Sequence, residues 1–491
     1  MGEASVDVRF GWSIVLVVCA LYAIGFLAYY PNAITNDDEA MYMRHSRIVL
    51  EGRASLPKLD AQTGETVEHV VSRYPVGTAA MMAPFVAVAG WKGAFLVPFL
   101  CLMGSVLVMG RWLQEEGRSP LWALLILGCP PALVMGRVAM SDVPSLAVVT
   151  LGLWLFWRGL DRSWGYWLAS GFIAGISMVW RETNAVVFAP FFAGAVLRRE
   201  RACWAIVAGG LLGVAVRLLS STVVFGAPFF YKAPYIFDLG GLPERLPTYL
   251  LTVLVFMPGG LLLVQFYRGR RWPELIVAVN LFVLLYLLQG YFMGGTSPLK
   301  RMVLTARYMF PILPLVALAA ADVVPRFWRR LRERSPGAHR KALEAGGAGA
   351  LALWVGTVAV AAVVVHPVYA AWSSTQGQIR DAIESNTDPA GVLVTNIEFT
   401  RKFMNEFDSK YLPISREGMS PDIAMDLATR FGSFRIVLLD RNDGPYGFEQ
   451  ARLNAEFMAS IEPMKPALLF DREMTATDRL RVWRVDRAEL P

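Results

Sequence analysis

The chain is a succession of apolar runs separated by short polar breaks, and its pattern changes near residue 370. Eleven runs read as membrane-crossing helices: roughly 11–30, 92–112, 120–137, 142–158, 164–180, 184–197, 202–222, 248–267, 272–292, 304–323 and 347–366. A bilayer core asks for about 20 apolar helical residues, so several of these are short. The first two runs are separated by a long polar loop, 31–91, that ends on the apolar segment Pro75 to Gly90. That segment either crosses as a twelfth span or lies as a helix at the interface. Early in the loop the pattern predicts a short helix over Asp37–Leu50. Thr35 or Asn36 can cap it, the positive end of its dipole favours ionised Asp37 and Asp38, and Gly52 ends it.

Beyond residue 370 polar and apolar positions alternate. Strand-like runs fall at 391–395, 434–439 and 480–485, with helical stretches at Ser420–Phe431 and Tyr446–Phe457 between them. Strands interleaved with helices make an α/β pattern. The expected organisation is therefore a membrane part, 1–370, and a small soluble α/β domain, 371–491.

Composition agrees with this pattern. Of 491 residues 55% are hydrophobic and 18% charged, and the mean hydropathy is +0.43. A soluble protein carries about 25% charged residues. The first run has no recognisable small-residue cleavage site and reads as a retained span. The four cysteines, Cys19, Cys101, Cys129 and Cys203, all fall in apolar runs and suggest neither a disulfide framework nor a zinc site.

The net charge of +7 hides an asymmetry. From Ala370 onward there are 15 Lys+Arg against 19 Asp+Glu, or −4, which leaves 32 against 21, or +11, for the rest. Basic residues concentrate in five short breaks: Arg111/Arg118, Arg158/Arg162, Arg198–Arg201, Arg268–Arg271 and Arg326–Lys341. If Pro75–Gly90 does not cross, all five lie on one side, which the positive-inside rule makes cytoplasmic. The loop 31–91, the turn at Asp142, the segment at Arg181, the loop 223–247 and the tail then face outward. The positive charge is thus a matter of orientation, and no aromatic-basic nucleic-acid motif accompanies it.

On this topology the polar residues of the outer breaks gather at one membrane boundary. The first loop supplies Asp37, Asp38, Glu39 and Arg73-Tyr74-Pro75-Val76-Gly77. Later breaks supply Arg137 and Asp142, then Arg181-Glu182-Thr183-Asn184, then Lys232 after Phe225-Gly226-Ala227-Pro228-Phe229. The last supplies Lys300, Arg301, Arg307 and Tyr308. A transporter more often sets its polar residues mid-span in broken helices, whereas these spans read as clean between their ends.

With NDDEAMY after the first span, RYPVG, RVAMSDVP, FGAPF and ARYMFPILP in that order, the chain resembles the GT-C superfamily of membrane glycosyltransferases over about residues 10–325. It is most similar to the branch of protein O-mannosyltransferases and lipid A aminoarabinose transferases. The expected fold is polytopic and α-helical, with about 11 transmembrane helices and the small C-terminal α/β domain outside. The resemblance implies a sugar donor on a polyprenyl phosphate, used on the extracytoplasmic face. It carries the catalytic base onto Asp38, with Glu39 as partner and Asp37 as the competing choice. It carries the second-loop acid onto Asp142, to orient acceptor or sugar, and the Arg-Tyr near the last span onto Arg307 and Tyr308. Tyr74-Pro75-Val76-Gly77 departs from the usual Tyr-Pro-Pro-Gly but keeps the proline start and glycine bend.

The chemistry suits these residue types. A lipid phosphate leaves as an anion and needs positive charge more than an acid. Arg181, Lys300, Arg301, Arg307 and Tyr308 are the candidate phosphate contacts. Arg73, Tyr74, Arg137 and Lys232 are candidate substrate contacts. A carboxylate can take the proton of the acceptor, whether lipid, glycan or protein. Simpler roles stand beside these: capping for the first-loop acids and Asp142, snorkelling for Arg307 and Tyr308, a local pair for Arg181 and Glu182, and solvation for His45 and His69. No ligand spacing supports a divalent cation, for which the first-loop acids would be the place. Two further readings are a ligase that moves a whole lipid-linked glycan, and a transporter or flippase. Transport is disfavoured by the lack of internal repeats and of charges within spans. The family pattern points to a bacterial inner membrane.

Overall fold

The structure is a computed structural model that describes residues 2–52, 55–59, 65–69, 74–200, 202–229, 237–257, 259–289, 305–335, 337–388, 391–396, 410–414, 421–441 and 444–486. It divides into two compact units. The first comprises 1–30, 75–78 and 95–368, and the second 31–74, 79–94 and 369–491. The first loop thus groups with the tail, where the sequence pattern alone set it with the membrane part.

The first unit is helical. Among the described residues six stretches are long and apolar enough to cross a membrane: Val8–Ala28, Gly77–Glu115, Asp142–Asp161, Cys203–Phe225, Arg307–Arg334 and His339–Asn386. Asn184–Leu197 and Trp272–Leu288 are apolar but shorter. The chain is an integral membrane protein. The sequence expectation of eleven also counted runs that fold as short or broken helices. The run at 120–137 becomes a 3-10 turn, Pro120–Leu125, and a single short helix, Pro130–Met135. Prolines at 120, 130 and 131 start new turns there because proline suits a first helical position but not an interior one. The run at 248–267 breaks into Leu242–Phe256 and Gly260–Phe266 around Gly259, whose φ of 68° is left-handed. Pro75–Gly90 is helical from Gly77 to Ala89 and continues through a 3-10 turn, Gly90–Phe95, into the helix Leu96–Glu115.

In chain order the helices of this unit are α1 (Gly2–Ala28), then, after α2 (Asp37–Glu51) and α3 (Gly77–Ala89), α4 (Leu96–Glu115) and α5 (Pro130–Met135). Next come α6 (Asp142–Asp161), α7 (Trp164–Ser177), α8 (Asn184–Leu197), α9 (Cys203–Phe225), α10 (Leu242–Phe256), α11 (Gly260–Phe266) and α12 (Trp272–Leu288). The last are α13 (Leu313–Arg334), preceded by a 3-10 turn at Arg307–Ile312, and the 50-residue α14 (Gly337–Asn386). Helices α7 and α9 pack backbone to backbone. A methyl added at Gly171, Gly175, Gly209 or Gly213 would collide with main-chain atoms of the partner helix, at Ile206, Gly210, Leu168 and Phe172 respectively. Small residues four apart on both helices make the close approach that dispersion needs in lipid.

The spans are not clean of charge, contrary to the sequence reading. Arg217 lies within α9, is buried, and pairs with Glu182 at 3.2 Å. Asp322 lies within α13 and takes Arg118 at 2.5 Å and Arg326 at 2.6 Å. Glu274, in the first turn of α12, pairs with Arg198 and Arg271. An isolated charge in an apolar run survives when a partner from another segment satisfies it. That partner cannot be read from the run itself.

In the second unit, Asn36 caps α2 in a reciprocal capping box with Glu39, and Gly52 (φ 65°) ends the helix. Strands β1 (Leu56–Leu59) and β2 (Thr66–His69) form an antiparallel hairpin. The tail holds a five-stranded sheet in the order β4-β3-β5-β7-β6, formed by β3 (Val392–Asn396), β4 (Lys410–Ile414), β5 (Ser433–Arg441), β6 (Ala467–Glu473) and β7 (Asp478–Asp486). The β3 strand is parallel to β4 and β5, and β7 is antiparallel to β5 and β6. Helices α15 (Pro421–Phe431) and α16 (Gly444–Ser460) give Leu427, Ala428, Phe457 and Ile461 to the core that contains Val394, Ile436 and Val485. A second core joins Leu393, Val437, Leu480 and Val482 to Ile379 and Ile383 of α14. Alternate residues of β3, β5 and β7 supply the two cores, as the two-residue repeat of a pleated strand requires.

Candidate functional site

The chemistry-bearing residues fall into one cluster in each unit. In the first unit the cluster begins with α6. Asp142 is its first residue and is 1% exposed. Its Oδ1 accepts a 2.6 Å hydrogen bond from Nη2 of Arg181, and the Arg181 Nε donates to Ser141 Oγ at 3.2 Å. Asp142 Oδ2 has no hydrogen-bond partner among the described residues.

The Arg181–Asn184 turn is anchored residue by residue. Arg181 reaches the start of α6, and Glu182 takes Arg217 of α9. Thr183 Oγ1 is 3.0 Å from the Tyr286 hydroxyl of α12. The Asn184 amide donates to Ser145 Oγ at 3.2 Å and to the Ser177 carbonyl at 3.1 Å. Arg181 and Glu182 thus make ion pairs with separate partners, Asp142 and Arg217, where the sequence suggested a local pair. Arg217 also donates to Ser221 and to the Pro228 carbonyl, which ties the Phe225-Gly226-Ala227-Pro228 turn to the same framework.

The turn Arg307–Ile312 completes the cluster. The Tyr308 ring stacks on Tyr286 at 5.4 Å between centroids. It has the Arg181 guanidinium at 5.1 Å and the Arg307 guanidinium at 4.9 Å. Arg307 Nη2 donates to the Tyr308 hydroxyl at 3.0 Å, and its Nη1 lies 3.6 Å from Met140 Sδ. Among the described residues no carboxylate is within ion-pair distance of Arg307. Two guanidinium groups and one carboxylate therefore gather around one aromatic ring, with a net charge of +1. Arginine over a ring face is held by the ring quadrupole and keeps its planar N–H fork for an anion.

In the second unit the two neighbouring first-loop acids separate. Glu39 is fully buried, and its Oε2 accepts from the Thr35 backbone and hydroxyl, both at 2.7 Å, and from Asn36. It belongs to the helix cap, while Thr35 in turn meets the Tyr369 hydroxyl at 3.1 Å. Asp38 is partly exposed and accepts from the Tyr74 hydroxyl. The Tyr74 ring lies against Tyr42 at 4.9 Å. The Asp37 side chain lies outside the description. His45, which the sequence set in solvent, is 1% exposed, and burial pushes its pKa down to about 4.

The other sequence candidates are placed as follows. Arg137 is fully buried; it donates to the Tyr29 carbonyl, contacts His366 and lies over the Phe26 ring at 5.6 Å. Its side chain serves the packing of α1 and α14 in the first unit. Arg73, Lys232, Lys300 and Arg301 lie outside the described residues. Sequence reasoning named Thr183 within the Arg181–Asn184 break but did not single out Arg217 or Tyr286. The lone arginine in the α9 run was a signal for the first; Tyr286 carried none. Among the described residues no three His, Cys, Asp or Glu side chains come together in a metal-ligand arrangement.

A family model described as dolichyl-phosphate-mannose-protein mannosyltransferase matches residues 75–225. No curated protein sequence matches the chain. Among solved structures, ArnT from Cupriavidus metallidurans in the apo state superposes with a TM-score of 0.66 at 13% identity, over 98% of this chain and 99% of that one. The same protein bound to undecaprenyl phosphate gives 0.63 over the same shares, also at 13% identity. The Archaeoglobus fulgidus oligosaccharyltransferase tethered with an acceptor peptide gives 0.51 at 11% identity, over 98% of this chain and 74% of that one. At these identities the likeness is one of fold. It is the fold of ArnT and, at the lower score, of that oligosaccharyltransferase.

Proposed function

We propose that the chain is a membrane glycosyltransferase that moves a single sugar from a polyprenyl-phosphate donor to an acceptor on the extracytoplasmic face. The observation that carries the reading is the pair of guanidinium groups on Tyr308, one of them without a carboxylate at ion-pair distance among the described residues. In a low-dielectric setting an unneutralised cation favours an anion that develops during reaction. A lipid phosphate leaving from an anomeric carbon is such an anion. The fold shared with ArnT, which has been seen bound to undecaprenyl phosphate, and the mannosyltransferase family match support the same donor chemistry.

In the proposed reaction the bond between the anomeric carbon and the phosphate oxygen breaks, and its electron pair leaves with the phosphate. The acceptor oxygen or nitrogen forms the new bond to that carbon and loses its proton to a carboxylate, the role that the family resemblance carries onto Asp38. A single displacement inverts the anomeric centre. Asp38 suits the base role better than its neighbour, because Glu39 is committed to the helix cap. Tyr74 orients the Asp38 carboxylate. Arg181 and Arg307 hold the phosphate, and Asp142 fixes Arg181. Lys300 and Arg301 remain candidates for the donor phosphate, and Arg73 and Lys232 for substrate contact, on their sequence positions. The short polar breaks rich in arginine support a cytoplasmic face opposite the site, and the family resemblance supports a bacterial inner membrane.

The test is transfer from radiolabelled polyprenyl-phosphate sugars in proteoliposomes. Asp38→Asn should lower kcat by about 10²-fold or more with folding intact. Arg307→Gln should raise the donor KM by about tenfold. A wild-type protein that consumes no monosaccharide carrier, or a product with retained anomeric configuration, overturns the reading.

A further inference from the structure

Asp142 is fully buried, yet it lies in the cluster that would receive a phosphate. One carboxylate oxygen holds Arg181 at 2.6 Å; the other has no hydrogen-bond partner among the described residues. Its charge also acts on Arg307. A carboxylate beside an anion site weakens every anion that binds there. It weakens them unequally, because Coulomb energy scales with the product of the charges.

That inequality bears on donor and product. Resting on the reading above, the donor is a phosphodiester and carries one negative charge. The product is a phosphomonoester, whose second ionisation falls near pH 6, so that it carries close to two above pH 7. A site built only of cations binds the product more tightly than the donor and is held by it. We infer that Asp142 is a selectivity residue that limits this preference and so permits release of the lipid phosphate. Removing its charge alters the site by one unit whatever other charges are present. If that unit changes the affinity of a singly charged diester by a factor f, it changes that of a doubly charged monoester by f². Among the described residues the groups that act on Asp142 are Arg181 from the turn before α8, Arg307 from the turn before α13, and Tyr286 from α12. The pH dependence invoked belongs to the ligand and not to these groups.

The experiment uses the full chain in nanodiscs and two probes, a short polyprenyl phosphate and its methyl ester, with affinity measured by calorimetry at pH 8.5 and pH 5. It needs neither the sugar nor catalysis. Asp142→Asn should tighten the methyl diester by about tenfold and the monoester by about 100-fold at pH 8.5. At pH 5 the monoester carries one charge and its gain should fall to that of the diester. Asp142→Ser makes the same charge change and replaces the first variant if that one does not fold. Arg181→Gln should weaken the two probes in the same squared ratio at pH 8.5. Equal gains for both probes at pH 8.5, or a loss in affinity with either Asp142 variant, overturns the inference. If the wild-type protein binds neither probe, it is the donor assignment that fails.

Discussion

Asp38 and Glu39 are adjacent, and local physics gives both the same account: acids in a first helical turn. Their contacts separate them. Glu39 is the reciprocal partner of the Asn36 cap, so Glu39→Gln, which weakens charge-assisted acceptance of two backbone N–H groups, should cost about 1–2 kcal/mol of stability in urea titration. Its effect on turnover should be small beside that of Asp38→Asn. Burial of His45 leads to a pH prediction. Its folded pKa, about 4, lies below the unfolded value of about 6.5. The unfolded chain therefore binds the proton first as pH falls. The stability linked to His45 is whole above pH 6.5 and is lost progressively between pH 6.5 and 4, by about 3 kcal/mol at most. His45→Gln should flatten that part of the profile in thermal melts; an unchanged acid limb would show that His45 is not its source.

At the scale of elements, capping and breaking residues were legible because they act within a few residues of themselves. Asn36, Glu39 and Gly52 bound α2 where the pattern placed a helix, and the alternating runs of the tail coincide with β3, β5 and β7. Span count was less legible. Apolar composition is blind to the prolines at 130 and 131 and to Gly259, which break otherwise continuous runs. The pairing of α7 and α9 is a tertiary matter. Glycines are common, and only the facing backbone shows which of them must lack a side chain. Gly175→Leu would drive its side chain into the Gly210 main chain. It should cost about 1–3 kcal/mol or more and lower the melting temperature in detergent, whereas Gly104→Leu, where a methyl meets nothing within contact distance, should not.

At the scale of the whole molecule, the two cores of the tail sheet draw, among the described residues, on Ile379 and residues beyond it. A fragment 369–491 should therefore fold cooperatively. A fragment beginning at Gly391 loses Ile379 and Ile383, both about 2% exposed or less, and should be less stable by about 3–6 kcal/mol, read from urea midpoints. Equal midpoints would show that α14 adds nothing to the sheet. The sequence by itself determined the membrane character, the helix caps, the strand runs of the tail and the order of polar breaks. Those features follow from hydropathy and short-range hydrogen bonding, which are properties of neighbours along the chain. Only the tertiary structure decided that Arg181 pairs with Asp142 and Glu182 with Arg217, that Tyr286 stacks on Tyr308, and that Asp38 meets the Tyr74 hydroxyl while Glu39 stays in the local cap. Those pairings join residues tens of positions apart, and an ion pair or a ring stack is fixed by the distance in space that packing sets.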